Sequence, residues 1–201
     1  MIDMHKSLIS VYVLPISIVF MTGGLDKYQF NMKIERRKTI MNSKIWEMLD
    51  QQFNEEMYSG YLYLGISEFF ALENLYGFAS WYRAQAREEL EHAMKFYDYL
   101  IECDSKVTLN KIKSADIEYK GILEAAETAD KHEHYITAEI EKIYAEAESQ
   151  KDYRTRLFLD WFIKEQHEEE NNSKEVVEKI KMLGDDPKGL YLLDKEMGAR
   201  K

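Results

Sequence analysis

The sequence predicts an all-α protein, a four-helix bundle with a long crossover between its second and third helices and a short fifth helix at the carboxyl end. Its composition suits one helical domain, because 201 residues contain only two prolines and nine glycines. Inward-facing side chains recur at alternating steps of four and three residues through the long segments. Two short connections and one long one join the four long helices, as in a bundle with a single crossover.

The first helix is expected from Ser43 to about Leu72. Its inward row is Leu49, Phe53, Glu56, Gly60, Tyr63, Ser67 and Phe70. A break at residues 73–77 precedes the second helix. The inward row of that helix is Phe78, Tyr82, Gln85, Glu89, His92, Phe96, Tyr99 and Cys103.

The periodicity fades from residue 104 to about residue 119, which predicts the long crossover. The third helix is expected from about Gly121 to Ser149. Its inward row is Ile122, Ala126, Ala129, Glu133, Ile136, Ile140 and Ile143. After a tight turn at residues 149–152, the inward row of the fourth helix is Leu159, Phe162, Gln166, Glu169, Ser173, Val176 and Ile180.

The fourth helix is expected to stop at residues 184–187, where a glycine and two aspartates precede a proline. A short amphipathic helix follows at about residues 188–197, with Leu190, Leu193 and Met197 on one side. Helices of nearly thirty residues span on the order of 45 Å, longer than most helices of globular proteins.

Each long helix carries potential metal ligands near its middle, on the inward row. These residues are Glu56, Glu89 with His92, Glu133, and Gln166 with Glu169. Residues at the middle of antiparallel helices meet in one layer, and the spacing of Glu89 and His92 places both on one face. Buried carboxylates without a partner cost several kcal/mol, so this layer implies a compensating cation.

A neutral imidazole combined with carboxylate oxygens suits iron, manganese or zinc. The four inward glutamates supply four negative charges, which two ferrous ions would balance. Taken alone, His92 is more often a hydrogen-bonded core residue, and the acidic run at residues 165–170 is more often a solvated face. The presence of ligands in register on all four helices favours the metal site.

The net charge of −10 argues against nucleic acid and anionic membranes as partners and favours cations. The lone Cys103 excludes a disulfide framework within the chain and any Cys-x-x-Cys metal site. We expect Cys103 to be a partly buried thiol at a helix end, in the reducing environment of the cytoplasm.

Residues 1–40 differ from the rest, because they contain six basic and three acidic residues. Their apolar run at residues 8–21 is broken by Pro15 and is short for a membrane span. A signal peptide is one explanation, with Lys6 before the apolar core and residues 22–24 as the cleavage site. A genuine appendage is another. We favour a third explanation, in which Met41 is the true start and residues 1–40 are translated leader.

Residues 41–201 resemble bacterial non-haem ferritins of the ferritin-like di-iron superfamily. Four segments carry the resemblance: residues 54–63 (NEEMYSGYLY), 88–92 (EELEH), 165–170 (EQHEEE) and 189–196 (GLYLLDKE). The resemblance implies a first iron held by Glu56, Glu89 and His92. It implies a second held by Glu89, Glu133 and Glu169, with Glu89 bridging and Gln166 nearby. A third iron would fall on Glu88, Glu165, Glu168 and Glu169.

The resemblance also places Tyr63 beside the centre and makes Trp161 a possible electron donor, although both also suit simple core packing. The second Glu-x-x-His motif of symmetric di-iron proteins is replaced here by Gln166-x-x-Glu169, which argues against bacterioferritins. Leu90 stands where those proteins carry their haem-ligating methionine, so we expect no haem. The absence of paired cysteines disfavours rubrerythrin.

The function implied is a cytoplasmic ferroxidase and iron-storage cage that takes ferrous iron with O₂ or hydrogen peroxide and holds ferric mineral. By resemblance the cage is a homo-oligomer of 24 subunits, with residues 188–197 lining a four-fold axis. Outward apolar residues such as Trp46, Tyr61 and Phe158 are expected to need covering by neighbours. The alternatives are a discrete di-iron oxidase or peroxidase without storage, and a structural helical protein with a fortuitous acidic core.

The start at Met41 predicts a specific nucleotide sequence. The residues Glu-Arg-Arg-Lys at positions 35–38 can be encoded by GAA-AGG-AGG-AAA, which contains a bacterial ribosome-binding sequence just upstream of codon 41. Reading these codons tests the hypothesis, and codons without a purine-rich AGGAGG would contradict it.

Overall fold

A computed structural model describes residues 42–183 and 186–199. Residues 1–40, the proposed start at Met41, and Gly184 and Asp185 of the expected helix stop lie outside the described residues.

The described residues form five helices and no strand, as the sequence predicts. The helices are α1 (Ser43–Leu72), α2 (Tyr76–Glu102), α3 (Ile122–Ser149), α4 (Tyr153–Leu183) and α5 (Pro187–Met197). Helix α1 packs on α2 and α3, α3 packs on α4, and α5 contacts α2 and α4. The crossover between α2 and α3 has no helix of its own. None of these helices combines the length and the apolar character that crossing a membrane requires.

Three helix starts differ from the prediction by one or two residues, and that of α3 differs only in being at Ile122 instead of Gly121. Helix α2 begins at Tyr76, inside the expected break, because the chain turns earlier, at Asn74 with φ of 62°. Helix α5 begins at Pro187. Proline lacks a backbone N–H, but an N–H in the first turn would have no partner within the helix, so no hydrogen bond is lost. The Asp186 carboxylate accepts hydrogen bonds from the backbone amides of Lys188 and Gly189 and so caps the helix.

The apolar core is divided into two clusters, one toward each end of the bundle. One cluster contains Phe70, Phe78 and Val177, and the other contains Leu49 and Phe162 among its members. Because the helices run antiparallel, the middle of every helix falls between these clusters. That middle layer holds the buried polar residues described below.

The crossover is fastened to one face of α1 by residues spaced four apart. The Trp46 indole Nε1 donates to the Lys106 carbonyl at 2.8 Å. The Asp50 carboxylate accepts the Thr108 amide at 2.7 Å, and the Asn54 side chain donates to the Thr108 carbonyl at 2.9 Å. The crossover therefore uses α1 side chains to satisfy backbone groups that no helix pairs.

Trp46 and Phe158 are partly covered by their own chain, and the covering of their exposed parts by a neighbouring subunit stays a prediction. Trp46 bonds to the crossover and packs on the core of its own chain. Phe158 stacks on Tyr99 with ring centroids 4.0 Å apart. Tyr61, in contrast, is half exposed, as expected of a residue that a neighbour would cover. Cys103 lies at the carboxyl end of α2 as a partly buried free thiol, which confirms its predicted position and burial.

Helix α5 docks onto the amino end of α2 through a single carboxylate. Asp194 Oδ1 accepts the amides of Gly77 and Phe78 at 2.8 and 3.0 Å. These are orphan donors of the first turn of α2, which has no side-chain cap of its own. The approach is so close that a Cβ on Gly77 would lie 1.6 Å from the Asp194 carbonyl oxygen.

We predict that Gly77→Ala dislodges α5. The new methyl group cannot coexist with the Asp194 carbonyl, so we expect faster amide exchange throughout α5 and a loss of about 1–3 kcal/mol in unfolding free energy. Hydrogen exchange read by mass spectrometry measures this. Gly121→Ala is the matched control, because a Cβ there meets nothing within 4 Å. Equal α5 exchange in both variants would contradict the docking described here.

Candidate metal centre

The four long helices bring the inward polar residues together in one buried layer. Helix α1 contributes Glu56, α2 contributes Glu89 and His92, α3 contributes Glu133, and α4 contributes Gln166 and Glu169. Each of these side chains belongs to a residue no more than 3 % exposed. Each reaches the layer because it occupies a position in the inward row that apolar residues fill elsewhere.

Three of these residues form a group that could hold one metal ion. Ligand atoms of Glu56, Glu89 and His92 all lie within 4.8 Å of one another. His92 Nδ1 is 3.5 Å from Glu89 Oε2. Two other oxygens, Glu56 Oε2 and Glu89 Oε1, are buried without any hydrogen-bond partner. Buried carboxylate oxygens without partners are costly, so these orphan oxygens fit a cation.

Burial governs the protonation of these carboxyl groups. It raises the pKa of Glu56 well above its ordinary value of 4.5, and the nearby Glu89 carboxylate raises it further. Burial also raises the pKa of Glu89 well above 4.5, with further contributions from Glu133 and Glu169. In the metal-free protein burial therefore favours the protonated forms of these groups, and a bound cation would favour the ionised forms.

Neutral amides support the carboxylates on α1 and α4. Gln52 Nε2 donates to Glu56 Oε1 at 2.8 Å, and Gln85 Nε2 donates to Glu169 Oε2 at 2.8 Å. Each amide orients its carboxylate without adding charge. Neither Gln52 nor Gln85 is predicted as a supporting residue by its sequence position, although Gln85 stands in the inward row one step before Glu89.

Glu133 is held by two donors from different helices. The Tyr63 hydroxyl donates to Glu133 Oε1 from α1, and Gln166 Nε2 donates to Glu133 Oε2 at 3.2 Å from α4. Burial raises the pKa of Glu133, and both hydrogen bonds lower it. Tyr63 therefore lies directly against the carboxylate layer, and burial beside that layer raises its own pKa well above the ordinary 10.0.

A second group lies on the other side of the same histidine. Ligand atoms of His92, Glu165 and Glu169 also lie within 4.8 Å of one another, with His92 Nε2 at 4.0 Å from Glu165 Oε1. The predicted third iron involves Glu165 and Glu169 from this group. Its other two expected ligands lie outside the group, Glu88 partly buried and Glu168 exposed.

Trp161 covers the imidazole from outside. Its ring meets the His92 ring edge to face with centroids 5.4 Å apart. Lys95 Nζ lies 4.3 Å from the centroid of the indole. The indole is 38 % exposed, so it connects the buried histidine to solvent.

Comparisons with known proteins agree on one family. The model of the ferritin-like domain matches residues 46–183. The bacterial non-heme ferritin of Campylobacter jejuni is 37% identical over 155 residues, covering 77% of this chain and 93% of the relative. That of Escherichia coli O6:H1 is 34% identical over 160 residues, covering 80% of this chain and 97% of the relative.

A solved structure gives the same result. An open pore ferritin from the hyperthermophilic archaeon Archaeoglobus fulgidus superimposes with a TM-score of 0.79 at 38% sequence identity. The alignment covers 80% of this chain and 99% of that chain.

The raised pKa of Glu89 predicts how the stability of the metal-free protein depends on pH. Because the folded-state pKa lies above the ordinary 4.5, this group's contribution is complete below pH 4.5 and is lost as the pH rises toward the folded-state value. Glu89→Gln removes that loss. We expect the metal-free variant to gain at least about 1 kcal/mol of unfolding free energy at neutral pH.

Chemical unfolding of metal-free protein across neutral and mildly acidic pH measures this gain. Glu91→Gln, a change at an exposed position one residue from His92, is the control and should leave the pH profile unchanged. A Glu89→Gln profile that coincides with that of the control would contradict the assignment.

Proposed function

The chain belongs to the ferritin-like family, and from this premise we propose that it is a cytoplasmic iron-storage protein with ferroxidase activity. Ferrous iron is its substrate, O₂ or hydrogen peroxide is the oxidant, and ferric mineral is the stored product. The observation that carries this proposal is the group of Glu56, Glu89 and His92, buried together with two partnerless carboxylate oxygens.

The proposed ligands follow from this group and the layer around it. Glu56, Glu89 and His92 bind the first ferrous ion. Glu89, Glu133 and Glu169 bind the second, so that Glu89 bridges the pair. Gln52, Gln85 and Gln166 each donate to one carboxylate oxygen, which supports these roles because each amide fixes the direction in which its glutamate points.

Paired binding suits the oxidation that storage requires. Each ferrous ion gives up one electron, so two ions together supply the two electrons and, with two protons, reduce O₂ to hydrogen peroxide or hydrogen peroxide to water. The raised pKa values of Glu56 and Glu89 favour their protonated forms, so cation binding, which needs the ionised carboxylates, would compete with protons in this layer. A shell of carboxylates binds ferric iron without the thiolates that would retain it.

Two aromatic residues have proposed roles beside the pair. Tyr63 positions Glu133 through its hydroxyl and lies close enough to the carboxylate layer to exchange an electron with bound iron. Trp161 has edge contact with His92 and partial exposure, which support a role as an electron donor from the outer side. We further propose that a third iron binds at Glu165 and Glu169, which belong to the second His92 group, with Glu88 and Glu168 as its other ligands.

Storage requires a hollow assembly, for which we propose 24 copies of this chain. Large apolar side chains remain exposed on several helices, as subunit contacts would require. They include Tyr61, Leu64, Leu72, Leu157, Tyr191 and Leu192. The similarity to non-heme ferritins over most of their length favours storage over a discrete oxidase or peroxidase.

Aerobic loading of the full chain with ferrous iron tests the function. We expect many iron atoms per subunit to co-elute with a very large particle in size exclusion, when iron and protein are detected together. Glu89→Ala should abolish rapid oxidation because it removes the bridging ligand, whereas Glu91→Ala at an exposed position should not. Rapid oxidation with only about two irons retained per subunit on a small oligomer would instead identify a discrete oxidase.

A further inference from the structure

A chain of aromatic rings leads away from the carboxylate layer. The Tyr63 hydroxyl donates to Glu133 in that layer. The Tyr63 ring stacks on Tyr82, with centroids 5.9 Å apart and planes inclined by 23°. Tyr82 in turn meets the ring of Trp81 edge to face, with centroids 4.7 Å apart. Centroid spacings in this range belong to rings in van der Waals contact, so the three rings form a continuous path.

Among the ring contacts of the described residues, two branches lead on from Tyr82, and they differ in redox chemistry. One branch is the stack of Tyr82 on Phe70 at 5.2 Å and of Phe70 on Phe78 at 4.8 Å. A phenylalanine ring has neither the hydroxyl of tyrosine nor the electron-rich indole of tryptophan, so it is far harder to oxidise. That branch is therefore interrupted at Phe70. The other branch ends at Trp81, an indole that can give up an electron.

Trp81 lies at a small pocket where α2, α4 and α5 meet. It is 7% exposed and lines an open pocket of about 160 Å³. Glu175 and Glu196 also line the pocket, and both pair with Lys179, at 2.7 and 2.5 Å. Two carboxylates and one ammonium group leave a net negative charge there, which favours a cation. A ferrous ion suits the pocket as an electron donor, because it is both a cation and a reductant.

Reduction of O₂ to water needs more electrons than the proposed pair of ions supplies. O₂ takes up four electrons and four protons to give two molecules of water, whereas two ferrous ions supply two electrons. When the reaction runs to water, the other two electrons come from outside the buried layer. A path of rings in contact meets this need, because electrons cross it one at a time while no further ion enters the layer.

We propose that Trp81 supplies electrons to Tyr63 through the ring of Tyr82, and that Tyr63 passes them to the buried centre. When Tyr63 gives up one electron, its hydroxyl proton moves along the existing hydrogen bond to Glu133. One electron from Trp81 then reduces the tyrosyl radical, which takes its proton back from Glu133. A ferrous ion at the pocket restores the oxidised Trp81 and becomes ferric. This role rests on the proposed ferroxidase function.

Tyr82 serves as a contact between the two other rings and does not itself become oxidised. Burial raises the pKa of its hydroxyl above the ordinary 10.0, so the hydroxyl keeps its proton. The ring, in contrast, touches both Tyr63 and Trp81 and so couples them. Transfer should therefore survive Tyr82→Phe, which keeps the ring, and fail in Tyr82→Leu, which removes it.

Freeze-quench electron paramagnetic resonance tests the path in the working protein. The full chain is loaded anaerobically with excess ferrous iron and then mixed with O₂. In Trp81→Phe we expect the tyrosyl radical to decay at least about tenfold more slowly than in Trp46→Phe, because its reduction is blocked. Trp46→Phe is the matched control, since Trp46 packs on the other apolar cluster. A radical that is absent from Trp81→Phe, or that decays there as in the control, would overturn the path.

Pulse radiolysis of the metal-free full chain tests the same contacts without iron. Azide radicals oxidise tryptophan side chains, and electron transfer from tyrosine to the oxidised tryptophan is followed through the separate absorption bands of the two radicals. We expect one transfer phase to be lost in Trp81→Phe, Tyr82→Leu and Tyr63→Phe. Tyr82→Phe and Trp46→Phe should keep that phase.

An unchanged set of transfer phases in Trp81→Phe would overturn the path, because the rings conduct electrons equally in both directions. If the unsubstituted chain oxidises no iron, the proposed function fails. The radiolysis measurement then still decides whether Trp81 and Tyr63 are coupled through Tyr82.

Discussion

The burial of several carboxylates in one layer is the constraint on which the rest of this structure depends. An apolar interior does not tolerate them as free anions, so each must hold a proton, accept a hydrogen bond or face a cation. The fold provides the first two states without metal, through raised pKa values and through amide donors such as Gln52 and Gln85. Two oxygens, Glu56 Oε2 and Glu89 Oε1, have no hydrogen-bond partner and are available to face a cation. The apolar clusters on either side of the layer supply the stability that allows this polar middle.

The layer is not symmetric, and the asymmetry lies in one histidine. Helix α2 supplies Glu89 and His92, whereas α4 supplies Gln166 and Glu169 at the same spacing. His92 consequently faces two carboxylate groups, one through each ring nitrogen. Gln166 stands on α4 where a symmetric di-iron protein would carry its second metal-binding motif. Its amide donates to Glu133 of α3, so it orients a carboxylate and is not placed as a ligand itself. The two proposed ion positions therefore differ in charge and in ligand type, which suits sequential rather than equivalent binding.

The helices could be predicted from the sequence because the inward residues of a helical bundle recur at steps of three and four. The candidate layer could be predicted because charged residues interrupt these apolar rows near the middle of every long helix. What it missed depends on contacts between distant segments. The start of α2 at Tyr76 is supported by Asp194, whose contact with Gly77 spans 117 positions. Trp46 is covered by the crossover, whose path periodicity does not describe. The stacking of Tyr63 on Tyr82 depends on how α1 and α2 are rotated about their axes, and heptad spacing alone does not give that rotation.

The distribution of ligands between the two helical hairpins has a consequence for the order of assembly during folding. Glu56, Glu89 and His92 all belong to the α1–α2 hairpin, which closes through a three-residue connection at residues 73–75. Glu133, Gln166 and Glu169 belong to the α3–α4 hairpin, which the long crossover joins to the first hairpin. Short loops close at lower entropic cost than long ones, which favours closure of each hairpin ahead of docking between the hairpins. The first hairpin alone thus carries the three residues of the proposed first iron site, and an ion bound there would favour docking of the second hairpin, whose glutamates face the same layer.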